Sequence, residues 1–189
     1  MKKAILAACG LLLLSTLPAK AQSTSALSLS GGYSLRMFTE PDSTRVNMNG
    51  FYVSANYDLF RHFGAEAEIA DNFADRGTNG NVNIFSGMVG PRFYPFGHKK
   101  VTVFAHVLFG EGYYRVNFPA FGGFPPTENT ATSFTWEGGG GLEFKRSARW
   151  SVRIVQVDFG QTKFFGSSQS QNNYRISVGV VYHFGQKQK

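Results

Sequence analysis

Cysteine is almost absent from this chain, and helical patterning is absent altogether. Cys9 is the one cysteine among the 189 residues, and it lies in an apolar stretch at the amino terminus. If that stretch is removed on export, the remaining chain has no thiol, which excludes disulfide bonds, thiolate catalysis and cysteine-ligated metal sites. No segment sustains the 3.6-residue apolar period of an amphipathic helix. The sequence therefore predicts neither a disulfide-stapled domain nor a helical one.

Long basic runs are also missing, although the chain is positively charged. Nineteen Lys and Arg residues and 12 acidic residues give a formal net charge of +7. Three lysines, Lys2, Lys3 and Lys20, lie in the first 21 residues, so removing those residues lowers the charge by three, to +4. Outside the tail at 187–189, no run of Lys and Arg exceeds two residues. This pattern does not predict a nucleic-acid partner, whereas a mildly basic surface suits contact with anionic lipid.

The first 21 residues predict a secretory signal peptide. A basic start precedes an apolar run over residues 4–14, and Ala19-Lys20-Ala21 matches a small-residue cleavage site. The run is too short for a membrane anchor, which needs about 20 apolar residues. Lipidation at Cys9 is disfavoured, because cleavage there would leave almost no apolar segment before it. We predict cleavage after Ala21 and one mature domain over residues 22–189.

Short segments with a two-residue alternation fill the rest of the chain. In the last of them, bulky residues between Tyr174 and Phe184 share one face, and Arg175, Ser177 and Gly179 lie on the other. A soluble barrel buries its bulky face, whereas small and charged residues opposite a bulky face are typical of a membrane barrel with a wet or plugged interior. The chain is therefore predicted to be an all-β, eight-stranded antiparallel transmembrane barrel. Its strands are expected at about 26–37, 47–58, 63–72, 83–94, 101–113, 134–145, 149–159 and 174–184.

The seventh predicted strand breaks this alternation. Arg153 has an odd number, whereas Gln156 and Asp158 have even numbers, so all three can face the lumen only if an extra residue lies near Ile154 or Val155. A β-bulge would supply that residue. Alternatively, Val155 and its neighbour Val157 fill the lumen while Gln156 and Asp158 lie above the membrane. The sequence leaves both arrangements open.

Connector lengths predict the orientation of the barrel. Three predicted connectors are short, at 59–62, 95–100 and 145–148. The four that alternate with them are long, at 38–46, 73–82, 114–132 and 160–173. Outer-membrane barrels have short periplasmic turns and long external loops, and an even number of strands places both termini in the periplasm.

Several local motifs carry a family resemblance. Gly90-Pro91-Arg92 closes the fourth strand, the apolar stretch 101–109 ends at Gly110, and glycines fill 138–141. With these motifs the chain resembles the eight-stranded outer-membrane β-barrel family typified by the OmpA barrel, OmpX and the opacity proteins. The resemblance implies a monomer in the outer membrane of a Gram-negative bacterium, in contact with outer-membrane lipid.

The terminal strand carries a further resemblance. Ser177, Gly179, Tyr182 and Phe184 resemble the polar-x-Gly-x-x-apolar-x-aromatic signal by which outer-membrane barrels are recognised for insertion. These four residues therefore imply the barrel-assembly machinery as a partner.

Charged residues on the inward faces form the main candidate site. Buried charges persist only when they are paired, and an eight-stranded interior is about filled by its own side chains. We therefore predict a plugged lumen, with Arg92 lying against Glu66 and Glu68 of the neighbouring strand. The predicted charge network comprises Arg36, Glu66, Glu68, Arg92, Glu137, Glu143, Arg153, Asp158 and Arg175. Asp58, His106, Lys145 and His183 also face inward in the predicted strands.

Two other functions compete with a plug. A charged lattice can also line a small-solute or ion pore. A lipid-modifying enzyme would need a Ser and His pair near the membrane rim, and no local motif predicts one. The sequence predicts no catalytic residues, no metal ligands and no cofactor.

An aromatic and proline-rich loop is the candidate recognition surface. Phe118, Phe121 and Phe124 lie there among three prolines. Exposed aromatic side chains often mark binding surfaces, so the loop is a candidate for contact with an extracellular ligand. Equally, these rings could pack on one another or dip into the outer leaflet. The function predicted from the sequence is envelope integrity or surface interaction through the external loops.

Overall fold

A computed structural model describes residues 27–39, 45–77, 80–120, 125–164 and 170–184. The predicted signal peptide and its cleavage site lie outside these residues. Eight antiparallel strands pair in chain order, and the last pairs with the first to close a barrel. The predicted fold class of the barrel is thereby confirmed. The strands are β1 Leu27–Thr39, β2 Arg45–Asp58, β3 Phe63–Asp75, β4 Asn81–Phe93, β5 Val101–Phe118, β6 Thr127–Lys145, β7 Trp150–Thr162 and β8 Gln171–His183.

The alternation fixes which side chains point into the barrel. In β1, Leu29 and Tyr33 are exposed on the outer surface, whereas Ser30, Ser34 and Arg36 are buried inside. The other strands repeat this arrangement, so large apolar side chains cover the outside of the barrel. Such a surface is stable only against hydrocarbon, because soluble proteins rarely expose so large an apolar area. Within the described residues no helix has the length and apolarity to cross a membrane.

A β-bulge in β7 explains the break in alternation. Leu142 of β6 lies opposite Val155 and Glu143 lies opposite Arg153, so Ile154 has no partner across the strands. Arg153 and Gln156 are both fully buried, and Val157 is 50% exposed on the outer surface. The bulge predicted near Ile154 is therefore present. The alternative, with Val157 in the lumen, is wrong.

Strands β5 and β6 extend well beyond their predicted ends. The predicted connector 114–132 is strand up to Phe118 and again from Thr127, so that prediction is wrong. The reason is a reversal of the alternation, with Tyr114 and Val116 buried and Arg115 on the outer face. Beyond the hydrocarbon layer, the outer face meets water and the inner face becomes the apolar one. Because the inward face of this segment is not polar, the membrane-strand pattern is lost here and the segment was predicted to be a loop.

The barrel has two distinct ends, which we call the turn end and the loop end. The turn end carries the connectors 59–62, 94–100 and 146–149 together with both ends of the described chain. There the Phe184 amide donates to the Leu27 carbonyl over 3.0 Å. The loop end carries the connectors 40–44, 76–80, 119–126 and 163–170. The connectors at the loop end are shorter than predicted, because the strands continue into them.

Candidate functional site

Ion pairs cross the middle of the lumen from wall to wall. Arg36 on β1 contacts Glu137 on β6 over 2.9 Å, and Arg175 on β8 contacts the same carboxylate over 3.1 Å. Arg175 also reaches Glu68 over 2.5 Å and Asp158 over 2.9 Å. All five side chains are buried. One guanidinium therefore links strands β3, β6, β7 and β8.

His106 continues this network toward the turn end. Its Nδ1 lies 2.7 Å from a Glu66 oxygen, and its Nε2 lies 2.8 Å from an Asp158 oxygen. An ionised carboxylate only accepts hydrogen bonds, so a neutral ring can donate to one of these two carboxylates and a protonated imidazolium ring to both. The sequence placed His106 in the lumen, but nothing in it indicated this position between two carboxylates.

Arg92 and Arg153 meet at Glu143 near the turn end. Arg92 lies 2.7 Å from the Glu143 carboxylate and 3.3 Å from Glu66, and Arg153 lies 2.9 Å from Glu143. The ring of Phe104 contacts both guanidinium groups, with its centroid 3.6 Å from Cζ of Arg92 and 5.0 Å from Cζ of Arg153. These contacts complete a continuous chain of charges from Arg36 to Arg153.

One predicted contact in this network is wrong. Glu68 pairs with Arg175 and not with Arg92. Glu66 and Glu68 are two residues apart on β3, a separation of about 6.6 Å along the strand. Arg92 lies across from Gly64, on the turn-end side of both carboxylates, so its guanidinium reaches Glu66 but stops short of Glu68.

An apolar layer fills the lumen between this network and the loop end. Phe164, from the connector after β7, turns inward and packs against the rings of Phe38 and Tyr114, at centroid distances of 6.1 Å and 5.3 Å. The layer consists of Phe38, Val46, Met48, Val82, Ile84, Tyr114, Val116 and Phe164. This layer was not predicted from the sequence. Alternation with its apolar residues inward, as in Val46 and Met48, is the signal that would have revealed it.

The remaining predicted lumen groups lie at the turn end and not in the network. Asp58 is 3.3 Å from the His98 ring, and His183 shares a 2.8 Å hydrogen bond with the Ser151 hydroxyl. Beside them, burial raises the pKa of the Tyr94 hydroxyl, which stays protonated and donates to Asp58. Lys145 is partly exposed at the same end.

The Ser151 and His183 pair was not foreseen. Within the described residues no carboxylate bonds to the other nitrogen of His183, so the third member that orients a catalytic histidine is lacking. The described residues also contain no cluster of His, Cys, Asp or Glu that could hold a metal ion.

The four residues of the proposed insertion signal run from the middle of β8 to its turn end, with Ser177 at the middle and Phe184 directly after the strand. Ser177 is buried in the lumen, and Gly179 lies where a Cβ atom would come within 2.4 Å of the Gly31 carbonyl oxygen. Tyr182 and Phe184 point outward, and their rings pack edge to face at 4.8 Å. Their role as an insertion signal stays a prediction.

The candidate recognition loop is only partly described. Phe118 is 41% exposed at the end of β5, whereas Phe121 and Phe124 lie outside the described residues. Strands β5 and β6 form a hairpin that extends beyond β7, because β6 pairs with β7 only from Thr135 onward, whereas β5 pairs with β4 as far as Asn117. Residues 127–130 of β6 are exposed on both faces.

Comparison with known proteins identifies the family. The family model of the outer membrane protein beta-barrel domain matches residues 6–184. The chain belongs to this family. As a member of the outer membrane protein beta-barrel family, the protein is located in the outer membrane, and its outward apolar surface faces lipid. No match is found among curated proteins.

Solved structures share the fold of this family member. Ail, the attachment invasion locus protein of Yersinia pestis, is 19% identical with a TM-score of 0.64, over 86% of this chain and 100% of Ail. Neisserial surface protein A is 10% identical with a TM-score of 0.66, over 86% and 100% of the two chains. The N-terminal barrel of Pseudomonas aeruginosa OprF is 12% identical with a TM-score of 0.51, again over 86% and 100%. At these identities the likeness shows the fold alone.

Proposed function

We propose that this protein is a non-conducting, monomeric outer-membrane barrel that acts in surface interaction, with its lumen serving as a rigid plug. In this proposal the signal peptide is cleaved after Ala21, the barrel-assembly machinery inserts the mature chain through its terminal strand, the turn end faces the periplasm and the loop end faces the exterior.

The filled lumen is the observation that carries this proposal. Charged side chains joined by ion pairs cross its middle, and an apolar layer closes it toward the loop end. Water and ions would have to displace both layers to pass. The chemistry of a pore requires a continuous polar path, which the packed rings of Phe38, Tyr114 and Phe164 interrupt.

The projecting hairpin supports a role in surface interaction. Among the described residues, 127–134 of β6 have no partner strand on the β7 side. An open strand edge offers backbone donors and acceptors to an extended segment of another protein. An extracellular protein that adds a strand to this edge is the partner that the geometry fits best.

Bilayer conductance tests the plug. The purified barrel should give no stepwise current in a planar bilayer. The triple variant Phe38→Ala, Phe164→Ala and Arg92→Ala should give measurable channel openings. Stepwise, charge-selective current from the unsubstituted protein would contradict the proposal and favour the alternative of a small-solute pore.

Shortening the hairpin tests surface interaction. Replacing residues 117–128 by an Asn-Gly turn preserves the last pair, Val116 and Asn129, and leaves the apolar layer intact. Cells that display this variant should lose adhesion to surfaces that cells with the intact barrel bind. Equal adhesion at equal surface abundance would contradict a role for the hairpin. A change in lipid A mass on expression would instead favour the alternative of a lipid-modifying enzyme.

A further inference from the structure

A cavity of about 480 Å³ opens at the turn end of the barrel. Two of the three turns at that end form its walls. Lys99 and Lys100 come from the turn between β4 and β5, and Lys145 and Arg146 come from the junction of β6 with the next turn. The hydroxyls of Thr102, Ser147 and Ser151 and the rings of His98 and His183 complete the lining.

The positive charge of this cavity is not balanced by its own acidic residue. Glu143 is the single carboxylate in the lining, and its Oε1 already accepts hydrogen bonds from Arg92 and Arg153. Within the described part of the chain, no carboxylate forms an ion pair with Lys99 or Arg146. Lys99 and Arg146 therefore bring positive charge to the cavity without a carboxylate partner among the described residues.

Cations and hydroxyls around a small space are the groups that bind phosphate. Lys and Arg side chains form charge-assisted hydrogen bonds to its oxygens, and hydroxyl groups donate further bonds. The volume lies in the range of about 300–1,000 Å³ that is usual for small-ligand sites. The Ser151 hydroxyl and the His183 ring, held together over 2.8 Å, form the polar wall at the β7 and β8 side.

The surroundings indicate that the phosphate is part of a lipid. The Lys100 ammonium lies 5.6 Å from the ring centroid of Phe144, which faces outward on β6. Trp150 and Tyr182 pack edge to face at 4.9 Å on the same outer surface. Trp and Tyr concentrate at the level of lipid headgroups. The cavity lies at the turn-end mouth of the lumen, and Lys100 reaches from its rim to the outer surface, where lipid headgroups lie.

We propose that the turn-end cavity binds the phosphate of an anionic phospholipid in the adjacent leaflet. Lys99, Lys100 and Arg146 neutralise the phosphate at the rim, and the cavity accommodates the rest of the headgroup while the acyl chains lie against the outward apolar surface. This site is at the opposite end of the barrel from the hairpin, so a negative result for lipid binding leaves the proposed surface interaction unaffected, and the reverse also holds.

Native mass spectrometry of the purified full barrel tests the site. Barrels mixed with equal amounts of phosphatidylglycerol and phosphatidylcholine should retain the anionic lipid in preference. Lys99→Gln with Arg146→Gln removes one cation from each turn and should reduce this preference about 25-fold, at about five-fold for each cation. Lys99→Arg should keep the preference.

A matched pair of charges at the loop end provides the control. Arg45→Gln with Lys163→Gln removes the same net charge from exposed positions far from the cavity and should leave lipid retention unchanged. Each variant is first checked for the compact form in unheated detergent, and Lys100→Gln with Arg146→Gln provides a second test pair if the first fails to fold.

Three results would overturn the proposal. Equal retention of the two lipids would show that the cavity does not recognise the anionic headgroup. An equal loss of lipid retention in the loop-end control would show that the effect depends on net charge and not on the cavity. Displacement of the lipid by inorganic phosphate at matched concentration would assign the site to a free phosphate instead.

Discussion

Single side chains in the lumen each hold more than one partner. Arg175 contacts three carboxylates, and His106 lies between two. Removing one cation therefore takes a partner from several buried carboxylates at once, which costs far more than losing one exposed ion pair.

Arg92→Met is expected to destabilise the barrel by about 3–5 kcal/mol, because Glu66 and Glu143 each lose a cation in a site without bulk water. Urea unfolding in lipid vesicles measures this free energy. Arg115→Met is the control, since Arg115 pairs with Glu128 on the exposed hairpin over 3.4 Å and its loss should leave the unfolding midpoint unchanged. An almost neutral Arg92→Met would indicate that water fills the lumen and would count against the plug.

Two neighbouring glycines of β6 should respond differently to one added methyl group. A Cβ at Gly139 would lie 2.2 Å from the Asp158 carboxylate and 2.3 Å from the Val157 carbonyl oxygen, whereas a Cβ at Gly138 meets only the Trp136 ring at 3.5 Å. Gly139→Ala should cost about 1–3 kcal/mol through overpacking. Gly138→Ala should be close to neutral in the same urea titration, and equal losses would contradict the assigned inward face of Gly139.

The strands follow the two-residue alternation of inward and outward side chains, and the bulge in β7 is the place where this alternation breaks. Ile154 is the extra residue that lets Arg153 and Gln156 share the lumen. The position of the break could be predicted from the numbering of the charged residues. In a regular strand, an odd-numbered Arg and an even-numbered Asp lie on opposite faces, so they share a face only if an extra residue lies between them. The sequence alone could not choose between the bulge and an inward Val157, because valine is accepted on either face.

Deleting Ile154 should prevent the compact barrel from forming. Without this residue, either Arg153 or the pair Gln156 and Asp158 must leave the lumen, which breaks the ion pair of Arg153 with Glu143 or those of Asp158 with Arg175 and His106. Breaking a buried pair costs about 3–5 kcal/mol. The deletion protein should migrate as the unfolded form in unheated detergent. Ile154→Val keeps the register and should migrate as the compact form. A compact deletion protein would show that the register around the bulge can shift without penalty.

At the scale of the whole molecule, the sequence predicted the closed barrel better than the contents of its lumen. Strand number and inward faces follow from local alternation, which is a property of neighbouring residues. The partner of each charge depends on the strands that the closed barrel brings face to face, as when Glu68 meets Arg175 from β8. The apolar layer was missed because its strand residues, such as Val46 and Met48, are apolar on the inward face, the reverse of the membrane-strand pattern. Phe164 belongs to a connector, where no period marks its direction.

Phe184→Ala tests whether the terminal strand directs assembly. Loss of the outward ring should lower the amount of protein in the outer-membrane fraction, because the terminal aromatic would be part of the recognition signal. Removal of the signal peptide should be unchanged, which the mass of the accumulated protein measures. Phe85→Ala removes another outward ring, away from the terminal strand, and is the control. Equal insertion of both variants would contradict the assignment.

The wall-to-wall ion pairs of the lumen carry a consequence for the order of assembly. Arg36 on β1 with Glu137 on β6, and Arg175 on β8 with Glu68 on β3, join strands that lie five positions apart in chain order. An open sheet holds these groups far apart, so the pairs cannot assist the early hairpins and form only as the last strand meets the first. These ion pairs stabilise only the closed barrel. Weakening them should therefore hasten unfolding while leaving the rate of insertion almost unchanged.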